Sequence, residues 1–165
     1  EITEHTGQLF EFSKIVDTLE NNLNIKKEEC CINEILEETL VNFYSIFKEK
    51  SIIPTIKITD KKMYKTINKV SIVRIFENIL SNVSKYSNGN FKVEKNEDGI
   101  ITFSNKATSL DATTVQKIFD RYFSVENAKE STGIGLSIAK QLVELNNGTI
   151  KAAYNDGYLI IEINL

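Results

Sequence analysis

The sequence predicts an α+β domain built as a two-layer sandwich of helices against a sheet. Three observations predict it. Apolar stripes of helical period run through the first half of the chain, two hairpin signals with Asp-Gly turns lie in the second half, and a glycine turn opens a further helix between those hairpins.

In chain order, residues 3–24 read as one long helix, with Leu9, Phe12, Ile15 or Val16, Leu19 and Leu23 on one stripe. Lys26-Lys-Glu-Glu29 reads as a charged linker. Asn33 is placed to cap a second helix over residues 34–50, with Ile35, Leu36, Leu40, Phe43 and Phe47 facing inward. Residues 51–58 alternate as a strand, and Pro54 puts that strand at an edge or marks its start. Residues 63–67 read as a second short strand. Asn68 then caps a helix to about Tyr86, burying Ile75, Ile79, Leu80 and Val83. Residues 91–94 and 100–104 form a hairpin around Glu97-Asp98-Gly99, and Asp111 caps a short helix ending near Phe119. The polar stretch 124–132 suits a lid. Helix 136–145 is expected to stop at Gly148 as its C′ glycine, and a last hairpin turns on Asn155-Asp156-Gly157. The expected division is 1–27, an appended helix, and 28–165, the domain.

At 165 residues and 41% hydrophobic composition the chain has material for one sizeable core. A net charge of −3 gives no global reason for nucleic-acid binding, so any phosphate site must be locally basic. No run approaches the roughly 20 apolar residues of a membrane span, and no membrane contact by these residues is expected. The chain begins at Glu1 rather than Met and is expected to be a piece of a longer protein. Adjacent Cys30 and Cys31 offer neither a disulfide framework nor zinc spacing, and read as reduced thiols, one of them partly buried. The abundance of Ile, Asn and Lys reads as codon bias rather than function.

Two short signatures carry the chemistry. In Asn78-Ile-Leu-Ser-Asn82-Val-Ser-Lys85-Tyr86, Asn78, Asn82 and Lys85 project from one helical face. Two amide oxygens and an ammonium there suit a hydrated Mg²⁺ and a polyphosphate, because magnesium takes a few oxygen ligands, retained waters and phosphate oxygens. In Ser131-Thr132-Gly133-Ile134-Gly135-Leu136, a glycine turn opens a helix whose first N–H groups favour an anion.

These residues resemble the N box and G2 box of the GHKL ATPases, and specifically of two-component sensor histidine kinases. Between them Ile118-Phe119-Asp120-Arg121-Tyr122-Phe123 resembles the F box, and the resemblance covers residues 30–165 in the family's order. It implies the Bergerat fold, with helices on one face of a mixed sheet. It also implies ATP and Mg²⁺ as cofactors, with Asn82 as metal ligand and Asn78 beside it. Lys85 would neutralise phosphate, Tyr86 would pack near the nucleotide, and Thr132, Gly133, Gly135 and Leu136 would form the closing end of the lid. Competing motifs are absent: there is no P-loop, and Gly133-Ile-Gly135 lacks a dinucleotide fingerprint's third glycine.

One box departs from the pattern. Where the family carries Asp-x-Gly-x-Gly, this chain has Asn105-Lys106-Ala107-Thr108-Ser109. Asn105 can still accept from the adenine amine and donate to ring N1. Ala107 and Ser109 are costly only if their backbone needs positive φ. His5 is the only histidine, but it precedes Thr6-Gly7 rather than an acidic residue and reads as a bystander. The helix at 3–24 resembles the second helix of a dimerization hairpin, which would put the phosphoacceptor histidine outside this chain. The expected parent is a homodimeric, membrane-anchored kinase whose cytoplasmic catalytic domain this is, relaying phosphate through its own dimerization domain to a response regulator. Two alternatives stay open here. One is a degenerate domain that binds nucleotide poorly and acts through protein contacts. The other is a serine kinase or anti-sigma regulator of the same fold, which the upstream helix argues against.

Overall fold

The computed structural model describes residues 26–120 and 135–165. The helix expected over 3–24, His5, the lid stretch, Arg121, Tyr122, Phe123 and residues 131–134 lie outside the described residues. The elements run β1 (Glu28–Cys31), α1 (Ile32–Glu49), β2 (Ile53–Ile58), β3 (Tyr64–Ile67), α2 (Lys69–Tyr86), β4 (Asn90–Lys95), β5 (Ile100–Lys106), α3 (Ala112–Val115), α4 (Gly135–Leu145), β6 (Thr149–Asn155) and β7 (Tyr158–Asn164).

A five-stranded sheet has the order β2-β4-β5-β7-β6. Only β2 and β4 pair in parallel, and the crossover that such a pairing needs contains α2. The other pairings are antiparallel, so the sheet is mixed. Pro54 lies in β2, an edge strand, where its missing N–H leaves no gap in a ladder. Strand alternation sorts the faces. Phe91, Val93, Ile101, Phe103, Leu159, Ile161 and Ile163 are buried, while Lys92, Glu94, Thr102, Ser104, Ile160 and Glu162 are only half-buried on the opposite face. The buried face packs against Ile72, Ile75, Phe76 and Ile79 of α2, Leu142 and Val143 of α4, and Leu36 and Phe47 of α1 in one core. Phe47, Phe91 and Phe103 form a chain of rings through that core, with centroids 5.5 and 6.4 Å apart. This is the helix layer on one face of a sheet that the sequence predicts. Among the described residues no helix is long and apolar enough to cross a membrane.

Three local expectations are corrected. The linker expected at 26–29 is half strand: Glu28 and Glu29 begin β1, which pairs with β3 in a separate two-stranded sheet. Asn33 does not cap α1, because Cys31 holds the N-cap position without a side-chain bond. Asn33 is instead buried, donating to Thr59 O (3.1 Å) and accepting from Met63 N–H (3.0 Å), so it pins the β2–β3 connection. Buried Lys95 holds the same connection by donating to Lys61 O at 2.9 Å. Gly148 is not the C′ residue of α4. Asn147 takes the left-handed conformation (φ 62°), and the Gly148 N–H bonds Val143 O at 2.9 Å in the pattern of a Schellman motif. Both cysteines are buried, and burial raises the Cys30 thiol pKa, reinforced by the Glu28 carboxylate.

Two caps form as expected. Asn68 Oδ1 accepts from Ser71 N–H at 3.0 Å. Asp111 Oδ1 accepts from Thr114 N–H at 2.7 Å while Asp111 N–H donates to Thr114 Oγ1 at 2.9 Å, closing a capping box. The backbone bond from Thr114 holds the Asp111 carboxyl below its ordinary value of 3.8. A depressed carboxylate adds stability above its unfolded pKa and loses it as pH falls through the folded one. Asp111→Ala should therefore lower the melting temperature at neutral pH. The gap to the parent should shrink as pH drops below 3.8, as read by thermal melts across pH.

Candidate functional site

The site is built on α2, whose apolar stripe is turned into the core and whose polar stripe carries Asn78, Asn82 and Lys85 along one edge of it. Helix α4 lies antiparallel beside it. At one end Asn146, just past α4, donates to Ser71 Oγ at 3.4 Å. At the other, Gly135 opens α4 next to Asn78, close enough that a Cβ on Gly135 would lie 3.8 Å from Asn78 Oδ1. The two signatures, more than fifty residues apart in sequence, thus meet. Leu136 is buried in the core and anchors this end of α4. Thr132 and Gly133 lie outside the described residues.

Asn82 is only 6% exposed, yet neither its Oδ1 nor its Nδ2 has a hydrogen-bond partner among the described residues. Asn78 Nδ2 is in the same condition. A buried amide left unpaired costs about 1–3 kcal/mol per group, so these atoms mark a place where local stability is given up. They fit a hydrated cation and phosphate oxygens, which supply both an electrophile for the amide oxygen and acceptors for the amide N–H groups. Arg74 Nε, one helical turn before Asn78, is likewise buried and unpartnered, a feature that the Asn-x-x-x-Asn spacing extended backwards by four would have flagged. Lys85 is half-buried in the last turn of α2, and Tyr86 is buried in the core at the helix end.

Asn105 lies at 2% exposure on the face of β5 that α2 covers, in register with Phe91 on one side and Leu159 on the other. Among the described residues its Nδ2 makes only a long bond, to Lys106 O at 3.4 Å. The turn that follows runs from Ala107 to Leu110, closed by Leu110 N–H to Ala107 O at 3.1 Å. Ala107 and Ser109 are not among the residues with positive φ. The strain that their side chains would have caused in a glycine-type conformation is therefore absent. Ala107 is fully buried, donating to Gly157 O (2.8 Å) and accepting from Tyr154 Oη–H (3.2 Å). Sequence reasoning missed Asn88, whose Oδ1 accepts from both Thr108 N–H (2.7 Å) and Thr108 Oγ1–H (3.0 Å). No local signal announces that pairing, because it joins loops twenty residues apart.

The family described as histidine kinase-, DNA gyrase B-, and HSP90-like ATPase matches residues 67–162, which span α2 through most of β7. Sensor histidine kinase WalK of Bacillus subtilis is 28% identical over 129 residues, covering 72% of this chain and 21% of its own length. Sensor histidine kinase YcbM of the same organism is 24% identical over 159 residues, covering 91% of this chain and 50% of its own. The chain thus spans half or less of those relatives. Among solved structures, the Acinetobacter baumannii histidine kinase AdeS superposes with a TM-score of 0.73 at 18% identity, over 95% of this chain and 76% of that one. The mycobacterial sensor histidine kinase MprB gives 0.68 at 19%, over 82% and 95%. These likenesses establish a shared fold, and the family match covers both α2, which carries the amide pair, and α4. The chain belongs to the histidine kinase-, DNA gyrase B-, and HSP90-like ATPase family.

Proposed function

We propose that this chain binds Mg-ATP between α2 and α4 and is the kinase domain of a sensor histidine kinase. It would present the γ-phosphoryl group to a histidine outside residues 1–165, for relay to a response-regulator aspartate. The observation that carries this reading is the buried Asn82 amide with both its polar atoms unpartnered among the described residues, together with the unpartnered Asn78 Nδ2 one turn away, beside the glycine that opens α4. Asn82 is the residue that holds magnesium, with Asn78 beside it, and Lys85 balances phosphate charge. Bound magnesium supplies charge neutralisation and orientation of the phosphates. Phosphoryl transfer needs mainly those two things, so a site without its own nucleophile suffices. Tyr86 walls the pocket, Asn105 reads the adenine edge, and Thr132, Gly133, Gly135 and Leu136 close over the phosphates. Residues 1–27 belong to the dimerization hairpin of a homodimeric, membrane-anchored parent, with this domain on the cytoplasmic side.

The ordinary backbone of Ala107 and Ser109 favours a working site over a degenerate one. Only the exchange of a carboxylate for the Asn105 amide then remains, worth about 1 kcal/mol, or roughly fivefold in affinity. Calorimetric titration with ADP, with and without Mg²⁺, tests the reading. Saturable, Mg²⁺-strengthened binding with a Kd between about 1 μM and 1 mM is expected. No binding at millimolar ADP would overturn it. Asn105→Ala should weaken ADP about five- to tenfold while leaving Mg-tripolyphosphate, which has no base, unaffected.

A further inference from the structure

We propose that Asn88 and Thr108 are positioning residues for the nucleotide base, a side-chain clamp that does for this glycine-free turn what glycine geometry does elsewhere. The proposal rests on the reading of Asn105 as the base-contacting group. Asn88 lies two residues beyond Tyr86, and its backbone N–H donates to Lys106 O at 2.8 Å. Its side-chain oxygen takes two bonds from Thr108, at 2.7 and 3.0 Å. The Thr108 backbone N–H can only donate, so the amide oxygen must face it. Asn90 adds to the same seam, its Oδ1 accepting from Lys106 N–H at 3.0 Å. From the other side, Ala107 is tied to the β6–β7 hairpin through Gly157 O and Tyr154 Oη.

Residues 106, 107 and 108 are therefore each held by a partner from a distant element, immediately after Asn105. Asn88 and Thr108 are both exposed, so their pairing competes with water and adds little burial. A pair of that kind is poorly suited to stabilising the core. Its geometric effect is to fix the turn after Asn105 against the C-terminus of α2, the helix that carries Asn78, Asn82 and Lys85. It thus sets the spacing between the base-reading and phosphate-holding halves of the site, and preorganises the first.

The test is a pair of titrations on each variant, one with Mg-ATP and one with Mg-tripolyphosphate, together with a thermal melt. Asn88→Ala should weaken Mg-ATP about three- to tenfold, leave Mg-tripolyphosphate unchanged, and move the melting temperature by no more than about 4 °C. Asn88→Asp keeps the doubly accepting oxygen and should restore Mg-ATP affinity. Thr108→Val removes one donor but keeps the backbone N–H, so its loss should be smaller and non-additive with Asn88→Ala. If Asn88→Ala lowers affinity for both ligands equally, or lowers stability alone, the clamp is structural and the proposal is overturned. If Asn88→Ala changes nothing while Asn105→Ala selectively weakens Mg-ATP, the proposal fails and the reading of Asn105 stands. If Asn105→Ala itself leaves Mg-ATP affinity unchanged, the base reading fails and the clamp falls with it.

Discussion

Asn82→Ala is expected to abolish the magnesium dependence of nucleotide binding, weakening Mg-ADP by about 100-fold, while leaving the fold as stable as the parent. The two halves of that expectation have one cause. Asn82 is buried at 6% exposure with both amide atoms unpartnered, so in the ligand-free domain it holds a desolvated polar group for no return. Removing it relieves about 1–3 kcal/mol of unmet hydrogen bonding, against the loss of a few packing contacts for a truncated side chain. The melting temperature should stay within about 4 °C. Binding is a different matter. Groups that merely orient metal ligands are worth roughly 10- to 100-fold in metal affinity, so the direct ligand that Asn82 is proposed to be belongs at the upper end. Titration of Mg-ADP and a thermal melt of the same preparation check both halves. A variant that binds normally but melts far lower would identify Asn82 as a structural amide and remove the main support for the site. If the chain acts as the kinase domain proposed above, the same substitution should also eliminate histidine phosphorylation, because positioning and charge neutralisation are most of what such a domain contributes.

What could be read from sequence follows the range of the forces involved. The stripe of Asn78, Asn82 and Lys85, the caps at Asn68 and Asp111, and the hairpin turns are set within a few residues. They depend on helical period, side-chain reach to a neighbouring N–H, and tolerance of positive φ, as at Gly99 (85°), Asp156 (50°) and Gly157 (83°). Two of the failures are non-local. Glu28-Glu-Cys-Cys31 has no alternation and becomes a strand only because Tyr64–Ile67 lies against it. Asn33 satisfies every local rule for a cap, but the loop at 59–63 comes close enough to take its amide, and two long-range bonds outweigh one local one. The departure at Ala107 and Ser109 looked costly because sequence cannot show φ. The turn closes without positive φ and is held by partners from α2's exit and the last hairpin. The Asn88–Thr108 clamp was invisible for the same reason.

Gly148→Ala should cost about 2–4 kcal/mol and lower the melting temperature by about 5 °C or more. The reason is approach rather than conformation. Gly148 is not among the glycines with positive φ, so alanine could adopt its backbone. The added Cβ, however, would lie 2.6 Å from Asn164 O and 3.3 Å from Leu165 Cα, both backbone, with Val143 Cγ1 at 3.2 Å. Backbone atoms of a paired strand cannot retreat without breaking the β6–β7 and β5–β7 ladders, where Asn164 is matched with Thr149 and Ile100. Asn147→Gly is the control, since Asn147 holds the left-handed position at the helix end and glycine takes φ 62° readily. That change should be neutral within about 1 kcal/mol. The functional consequence separates this position from Asn82. Gly148 sits at the far end of α4 from Gly135, so Gly148→Ala displaces no side chain of the site. Measured well below its lowered melting temperature, the variant should bind Mg-ADP within about twofold of the parent. Asn82→Ala should do the reverse at every temperature, so the two variants together separate what holds the domain up from what it holds.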